Sequence, residues 1–287
     1  MSQSRGMIQY TGEVLSHRKH GEEYHSLTIV APEIAETARP GQFVNLRPPP
    51  DRYYTLRRPF SICRVNRGSG WAATVEVIFD IRGPGTAALA AMRAHDPIDI
   101  IGPVGQGFAI PKTRQACLMV GGGVGATPLF FLGEELRAAG KRVDVLCGAS
   151  RASRLVNTLE LKRLGATTEF TTDDGSVGYK GPVTDLLPGM IERCGSEVIY
   201  ACGPRGMLKA VTQIAVAHRV PVQVAMEEQM ACGIGICMSC VAPIFTAKGT
   251  GIMLLRTCLE GPVFNGARVA WDRYGTDLDE WEAPPGN

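Results

Sequence analysis

The sequence is poor in the features that mark specialised protein classes. Its longest apolar window, residues 116 to 132, is interrupted by four glycines and a proline, whereas a membrane-spanning helix needs about 20 predominantly apolar residues. The opening stretch MSQSRGMIQYTGEV contains no long apolar core of a secretory signal, so a cytoplasmic location and no membrane association are expected. Charge of one sign is lacking too: 30 Lys and Arg against 28 Asp and Glu leave a net +2, and a scattered charge that small predicts no nucleic-acid partner. The cluster RYYTLRR at 52 to 58 is the one basic and aromatic patch left to explain. Histidine is scarce, and none of His17, His20, His25, His95 and His218 sits in a constellation that asks for catalysis; all five read as surface or satisfied residues. Internal repeats and low-complexity blocks are missing as well.

Apolar residues are not scarce. At 45% hydrophobic and 287 residues, the chain is expected to form two domains and an attachment. Nine cysteines in a chain without an export signal argue against a disulfide framework and for metal or redox chemistry.

Periodicity divides the chain. From residue 8 to about 108 short alternating strands, such as SLTIVAPE at 26 to 33 and TVEVIFDI at 74 to 81, are punctuated by Pro and Gly. They predict an antiparallel barrel with a single short helix at about 86 to 94, capped by Thr86. After Pro111 strands alternate with helices. Strands are expected at 117–120, at RVDVLCG, and at 167–171, 197–201 and 222–225, with helices at 127–139, stopped by Gly140, and at 155–164 and 205–218. This order predicts a doubly wound parallel sheet. From about 226 the chain turns loop-rich, and DLDEWEAPPGN reads as a solvated end. The expected division is 1–110, 111–225 and 226–287.

Four of the cysteines are spaced Cys232-x4-Cys237-x2-Cys240-x17-Cys258. The leading C-x4-C-x2-C is the plant-type [2Fe-2S] arrangement, in which a tight loop presents three thiolates and a distant fourth completes the set. Gly233 and Gly235 suit such a loop, since backbone N–H groups can then turn toward the sulfurs. The rival is a structural zinc site, but zinc sites usually come as two short chelating pairs and only Cys237 and Cys240 form one. Cys63, Cys117, Cys147, Cys194 and Cys202 read as core residues.

A cluster of this kind exchanges single electrons and needs a donor. MVGGGVGATPL at 119 to 129 follows an expected strand and opens a helix, the setting in which glycines let a pyrophosphate approach a helix N-terminus. No acidic residue ends the next strand, where Ser150 and Arg151 stand, so NAD and NADP both remain open. YACGPRGML at 200 to 208 repeats the strand, turn and helix order at the carboxyl edge of the sheet. In TLRRPFSICRV, Arg57 and Arg58 precede Phe60 and Ser61, a mixture suited to a diphosphate and a flat ring or to a solvated charge pair.

Taken together, Arg58, Phe60 and Ser61 in an R-x-[FY]-[ST] motif, the glycine-rich turn and the CGP segment resemble the ferredoxin-reductase superfamily. LRRPFSI, DIIGPVGQGF at 99 to 108, DDGSVGYKGPVTDLL at 173 to 187, EEQMACGIGICMSC and CLEGPVF are similar to the electron-transfer subunits of B-type, NAD-dependent dihydroorotate dehydrogenases. The resemblance spans about residues 8 to 270. It implies an N-terminal FAD-binding barrel, an NAD-binding α/β domain and a C-terminal [2Fe-2S] segment. It implies that Arg58, Phe60, Ser61 and Ile62 hold FAD, with Gly85 and Thr86 at a second phosphate contact. Gly121, Gly122, Gly123, Gly125, Thr127, Cys202, Gly203 and Pro204 would border NAD, and Cys232, Cys237, Cys240 and Cys258 would ligate the cluster. Phe60 replaces the tyrosine common in the wider superfamily, and Gln229 stands where the family pattern suggests a basic residue.

Nicotinamide exchanges a hydride, a cluster takes single electrons, and a flavin does both, so FAD is expected between them with no general acid or base required. The implied partner is an FMN-containing catalytic subunit that oxidises dihydroorotate to orotate, in a hetero-oligomer expected to be a heterotetramer. Two alternatives stay open: a reductase subunit of another complex, such as a hydrogenase or a ferredoxin:NADP oxidoreductase, and a non-enzymatic nucleotide-binding module with structural zinc.

Overall fold

The computed structural model describes residues 6–49, 54–68, 73–113, 116–247 and 251–274. The tail read as a solvated end, and Arg52 and Tyr53 of the basic and aromatic patch, lie outside them.

The first domain contains β1 (Ile8–His20), β2 (Tyr24–Val30), α1 (Pro32–Thr37), β3 (Phe43–Leu46), β4 (Arg58–Ser61), β5 (Arg64–Asn66), β6 (Thr74–Asp80), α2 (Pro84–Ala90) and β7 (Pro97–Val104). All pairings are antiparallel, in the order β4-β3-β7-β1-β2-β6-β5. In β7, Ile98, Ile100, Gly102 and Val104 turn inward while their neighbours are less buried, the period of two that a half-buried strand requires. The two edges of the sheet are consecutive pieces of chain. Between them the Ile62 N–H donates to Gln42 O at 3.0 Å and the Cys63 N–H to Glu76 O at 2.9 Å, which curls the sheet into the expected barrel. Val14, Leu27, Ile29, Val44, Val77 and Ile100 fill it.

Two expectations are corrected here. Among its described residues the domain has two helices rather than one, because the short α1 buries Ile34 and Ala35. The second helix starts at Pro84, ahead of the proposed cap. Thr86 is its third residue, and its hydroxyl reaches back to accept the N–H groups of Arg82 and Gly83 at 2.9 and 3.1 Å.

The second domain runs through β8 (Ala116–Gly122), a 3-10 turn (Gly123–Ala126), α3 (Thr127–Ala138), β9 (Arg142–Ala149), α4 (Thr158–Leu164), β10 (Thr168–Thr172), β11 (Tyr179–Lys180), α5 (Val183–Cys194), β12 (Val198–Cys202), α6 (Arg205–Ala217) and β13 (Val222–Ala225). Strands β8 to β13 are parallel in the order β11-β10-β9-β8-β12-β13. Winding reverses between β8 and β12, and in such sheets ligands bind beyond the carboxyl ends of the strands at that point. Gly140 follows α3 at φ +72°, as a stop signal requires. Helix α5 was not expected, since Pro188 and Gly189 lie inside it. Its buried residues Val183, Leu187, Met190, Ile191 and Cys194 recur at helical spacing, and that face outweighs the roughly 3 kcal/mol a mid-helix proline costs.

The last segment holds a hairpin of β14 (Val241–Phe245) and β15 (Ile252–Arg256), then β16 (Val263–Asn265). Strand β16 adds antiparallel to β13, with Val224 opposite Phe264. The cysteine-bearing segment is therefore anchored in the sheet of the second domain. Barrel and sheet are joined by Arg64, which pairs with Glu134 at 2.8 Å and Glu160 at 2.7 Å.

Candidate functional site

After β13 the chain loops from Met226 to Cys240 and meets the barrel at Asn45 and at the wall of a cavity they share. Gly233 and Gly235 adopt φ +63° and +84°, values that L side chains rarely reach. A Cβ on Gly233 would lie 2.7 Å from the Asn45 side-chain amide, which itself donates to Gly233 O at 2.9 Å. This winding turns the N–H groups of Ile234, Ile236 and Cys237 toward Cys232 Sγ at 3.4 to 3.5 Å. The Cys232 N–H faces Cys237 Sγ at 3.5 Å, and Ser239 Oγ lies 3.2 Å from the same sulfur. Thr257 bonds Cys240 O through its N–H and its hydroxyl at 2.8 and 2.9 Å, which sets Cys258 beside Cys240.

The four thiols meet two environments. Cys240 and Cys258 are buried, whereas Cys237 is exposed and Cys232 half-buried. The Ser239 hydroxyl, helped by backbone N–H groups, lowers Cys237 to about 6, while burial and then the neighbouring Cys240 push Cys258 up to about 12. The four thiols stand as two neighbouring pairs, Cys232 with Cys237 and Cys240 with Cys258. A mononuclear tetrahedral site would need four sulfurs about 2.3 Å from a single point; a [2Fe-2S] core divides its ligands between two irons. Four thiols with N–H groups aimed at sulfur fit the second donor set better than the first.

Beside this loop lies a cavity of about 420 Å³, lined among others by Arg58, Phe60, Ser61, Gly85, Thr86 and Phe79. Gly85 leaves room for Arg58, since a Cβ there would sit 2.9 Å from its Nε. The adjacent arginines differ: Arg57 is tied to Asp99 at 2.7 Å, and Arg58 faces the cavity. Ile62 belongs to the barrel core at 0% exposure and its side chain does not reach the cavity. Thr127, grouped by sequence with the dinucleotide turn, lines this cavity instead.

A second cavity of about 700 Å³ opens at the winding reversal, against Gly122, Gly123, Gly125, Gly203 and Pro204. The two glycine turns interlock, for a Cβ on Gly125 would lie 2.7 Å from Gly203 Cα. Gly121 and Cys202 are not on the wall. Gly121 is packed under Ala126 and Cys147, and Cys202 is buried at the end of β12. The other four cysteines read as core residues, Cys63, Cys117, Cys147 and Cys194, are buried as well. His17 and His25 bond each other at 2.9 Å, and His218 bonds Ile214 O at 2.9 Å.

The sequence did not reveal that Arg82, Val124 and Glu227 line both cavities. Burial raises Glu227, with Arg82 opposing the shift. The carboxyl is crowded by protein yet open toward the two cavities. No spacing rule marks a lone Arg or Glu in a loop, so these residues carried no signal. Phe43 and Met230 were also missed. They line the smaller cavity and pack with Cys240 and Cys258.

Residues 227–270 match the family described as the iron-sulfur cluster binding domain of dihydroorotate dehydrogenase B. The chain is 36% identical over 242 residues to the dihydroorotate dehydrogenase B (NAD(+)) electron transfer subunit of Desulforamulus reducens, covering 84% of this chain and 90% of that one. The chain belongs to this electron transfer subunit family. Its counterpart in Listeria welshimeri is 33% identical over 266 residues, 92% of this chain and 100% of the relative. Among solved structures, one of an NADH-dependent reduced ferredoxin-NADP oxidoreductase superposes with a TM-score of 0.79 at 28% identity, over 92% of this chain and 91% of the other. A Neisseria gonorrhoeae ferredoxin NADP+ reductase with bound FAD and NADP shares the fold at TM-score 0.58 and 20% identity, over 73% and 91%.

Proposed function

We propose that this chain carries electrons between a nicotinamide dinucleotide and a separate FMN-containing catalytic subunit that oxidises dihydroorotate to orotate. One observation carries the reading. The dinucleotide cavity and the smaller cavity share Arg82, Val124 and Glu227, and Phe43 and Met230 on the wall of the smaller cavity pack with Cys240 and Cys258. Three compartments thus stand in series.

Bound FAD supplies the exchange between hydride and single-electron chemistry. The chain's own residues hold and separate the participants. Arg58 offers charge-assisted hydrogen bonds to a diphosphate, Phe60 and Phe79 present apolar surface to a ring, and Ser61 a hydroxyl. Gly122 to Gly125 and Gly203 let a pyrophosphate come close to backbone N–H groups. Cys232, Cys237, Cys240 and Cys258 supply soft thiolate ligands for a [2Fe-2S] cluster. The cysteine loop also exposes Ile236 and Met238 on either side of Cys237, with Leu259 packed against Gly235 and partly exposed as well, which suits a surface where electrons leave for another protein in a hetero-oligomer. No helix among the described residues is long and apolar enough to cross a membrane, and a cytoplasmic setting goes with this reading.

The test is anaerobic. Purified chain should contain flavin and two irons per four cysteines, and NADH should bleach both chromophores. Dihydroorotate should do so only after the catalytic subunit is added. Bleaching by dihydroorotate with the chain alone would refute the division of labour.

A further inference from the structure

In dinucleotide-binding folds an acidic residue after the second strand usually holds the ribose hydroxyls, and a nearby arginine instead accommodates a 2′-phosphate. Here Ser150 and Arg151 follow β9, with Arg154 in the next turn, and all three line the large cavity. By sequence alone that leaves NAD and NADP both open, with two arginines that a 2′-phosphate could use. In space the two guanidiniums are already engaged. Glu23, in the turn between β1 and β2 of the barrel, accepts from Arg151 Nη2 and pairs through Oε2 with Arg154 Nη2 at 2.9 Å. Ser153 Oγ approaches the same carboxylate at 3.4 Å. Asp80 takes the other side of Arg154 at 3.3 Å and holds Arg82 at 2.9 Å. The side chains of Glu23 and Asp80 are only 16% and 17% exposed.

The acid missing from the end of β9 is thus delivered by the other domain. Three arginines at the cavity wall face Glu23 and Asp80, and Asp173 and Glu227 line the same cavity, so little positive charge remains for a 2′-phosphate, which would have to displace Glu23 or lie beside it. Uncharged ribose hydroxyls meet no such conflict.

We propose that Glu23 is a specificity-determining residue that makes this cavity select the non-phosphorylated dinucleotide, acting through Arg151 and Arg154. The proposal rests on the dinucleotide reading of the cavity. Its barrel origin also makes the preference depend on the two domains being docked.

The experiment measures NAD+ and NADP+ binding by calorimetry to the full, oxidised holoprotein, in which neither ligand reacts. Wild type should prefer NAD+. Glu23→Gln should tighten NADP+ at least about tenfold, the worth of one charge-assisted contact, while NAD+ moves less than about threefold. Adding Arg151→Ala should abolish that gain, and Glu23→Asp should keep the wild-type preference. Glu23→Ser offers the same release of the arginines if Glu23→Gln does not accumulate folded. A wild-type preference for NADP+, an unmoved NADP+ affinity in the freed variants, or equal shifts for both ligands would overturn the proposal, the last by showing that Glu23 only fastens the domains. Wild type binding neither ligand would remove the dinucleotide cavity itself, and Glu23's role with it.

Discussion

Asn45 and Gly233 are locked together. The buried amide of one donates to the carbonyl of the other at 2.9 Å, and the space where a Cβ of Gly233 would sit is filled by that same amide. A barrel strand thereby fixes the loop that presents Cys232 and Cys237. Gly233→Ala would combine a left-handed backbone with a steric conflict, costing at least about 1 to 2 kcal/mol in loop formation. The expected result is loss of iron with flavin retained, read as iron per chain and visible absorption.

The neighbouring arginines should separate cleanly. Arg58→Ala removes a guanidinium from the cavity wall and should weaken flavin binding about 10- to 100-fold with little change in the thermal midpoint. Arg57→Ala takes the guanidinium from the half-buried Asp99 and leaves it the Gln9 amide, and should cost about 1 to 3 kcal/mol of stability while sparing flavin affinity. Flavin titration of the apoprotein beside thermal unfolding checks both.

Acid should loosen the joint between the domains. Burial alone would raise Glu160, but hydrogen bonds and charge from Arg64 reverse that and hold it below its ordinary value of 4.5. A carboxylate lowered in the folded state contributes stability above its unfolded pKa and loses it as the pH falls through the folded one. Glu160→Gln should therefore lower the thermal midpoint at pH 7 and flatten its decline below about pH 4.5, measured by unfolding from pH 7 to 3.

Ile236 and Met238, 75% and 51% exposed beside Cys237, should matter to association rather than assembly. Ile236→Ser should weaken binding to the catalytic subunit at least about fivefold, with iron and flavin content unchanged. Surface-immobilised binding of the two subunits would detect it.

Much of this organisation is legible in the residue pattern. The four clustered cysteines, the two glycine turns and the arginine before Phe60 are local signals whose spacing reflects local geometry. What stayed hidden depends on distant chain meeting in space. Strand β16 is three residues long and exists because β13 offers an edge. Helix α5 contains a proline that argues against it until its buried face is counted. Ile62, Gly121 and Cys202 sit next to cavity residues in sequence, but their side chains or missing Cβ positions turn to the core. Glu227 and Glu23 carry no motif, and their placement follows only from how the barrel meets the sheet.

The shared wall has a thermodynamic consequence. Whatever fills one cavity rests against Arg82, Val124 and Glu227 and so completes the boundary of the other. Occupancy of the two compartments is then coupled, and coupling of this kind is reciprocal: the factor by which flavin tightens the dinucleotide must equal the factor by which the dinucleotide tightens flavin.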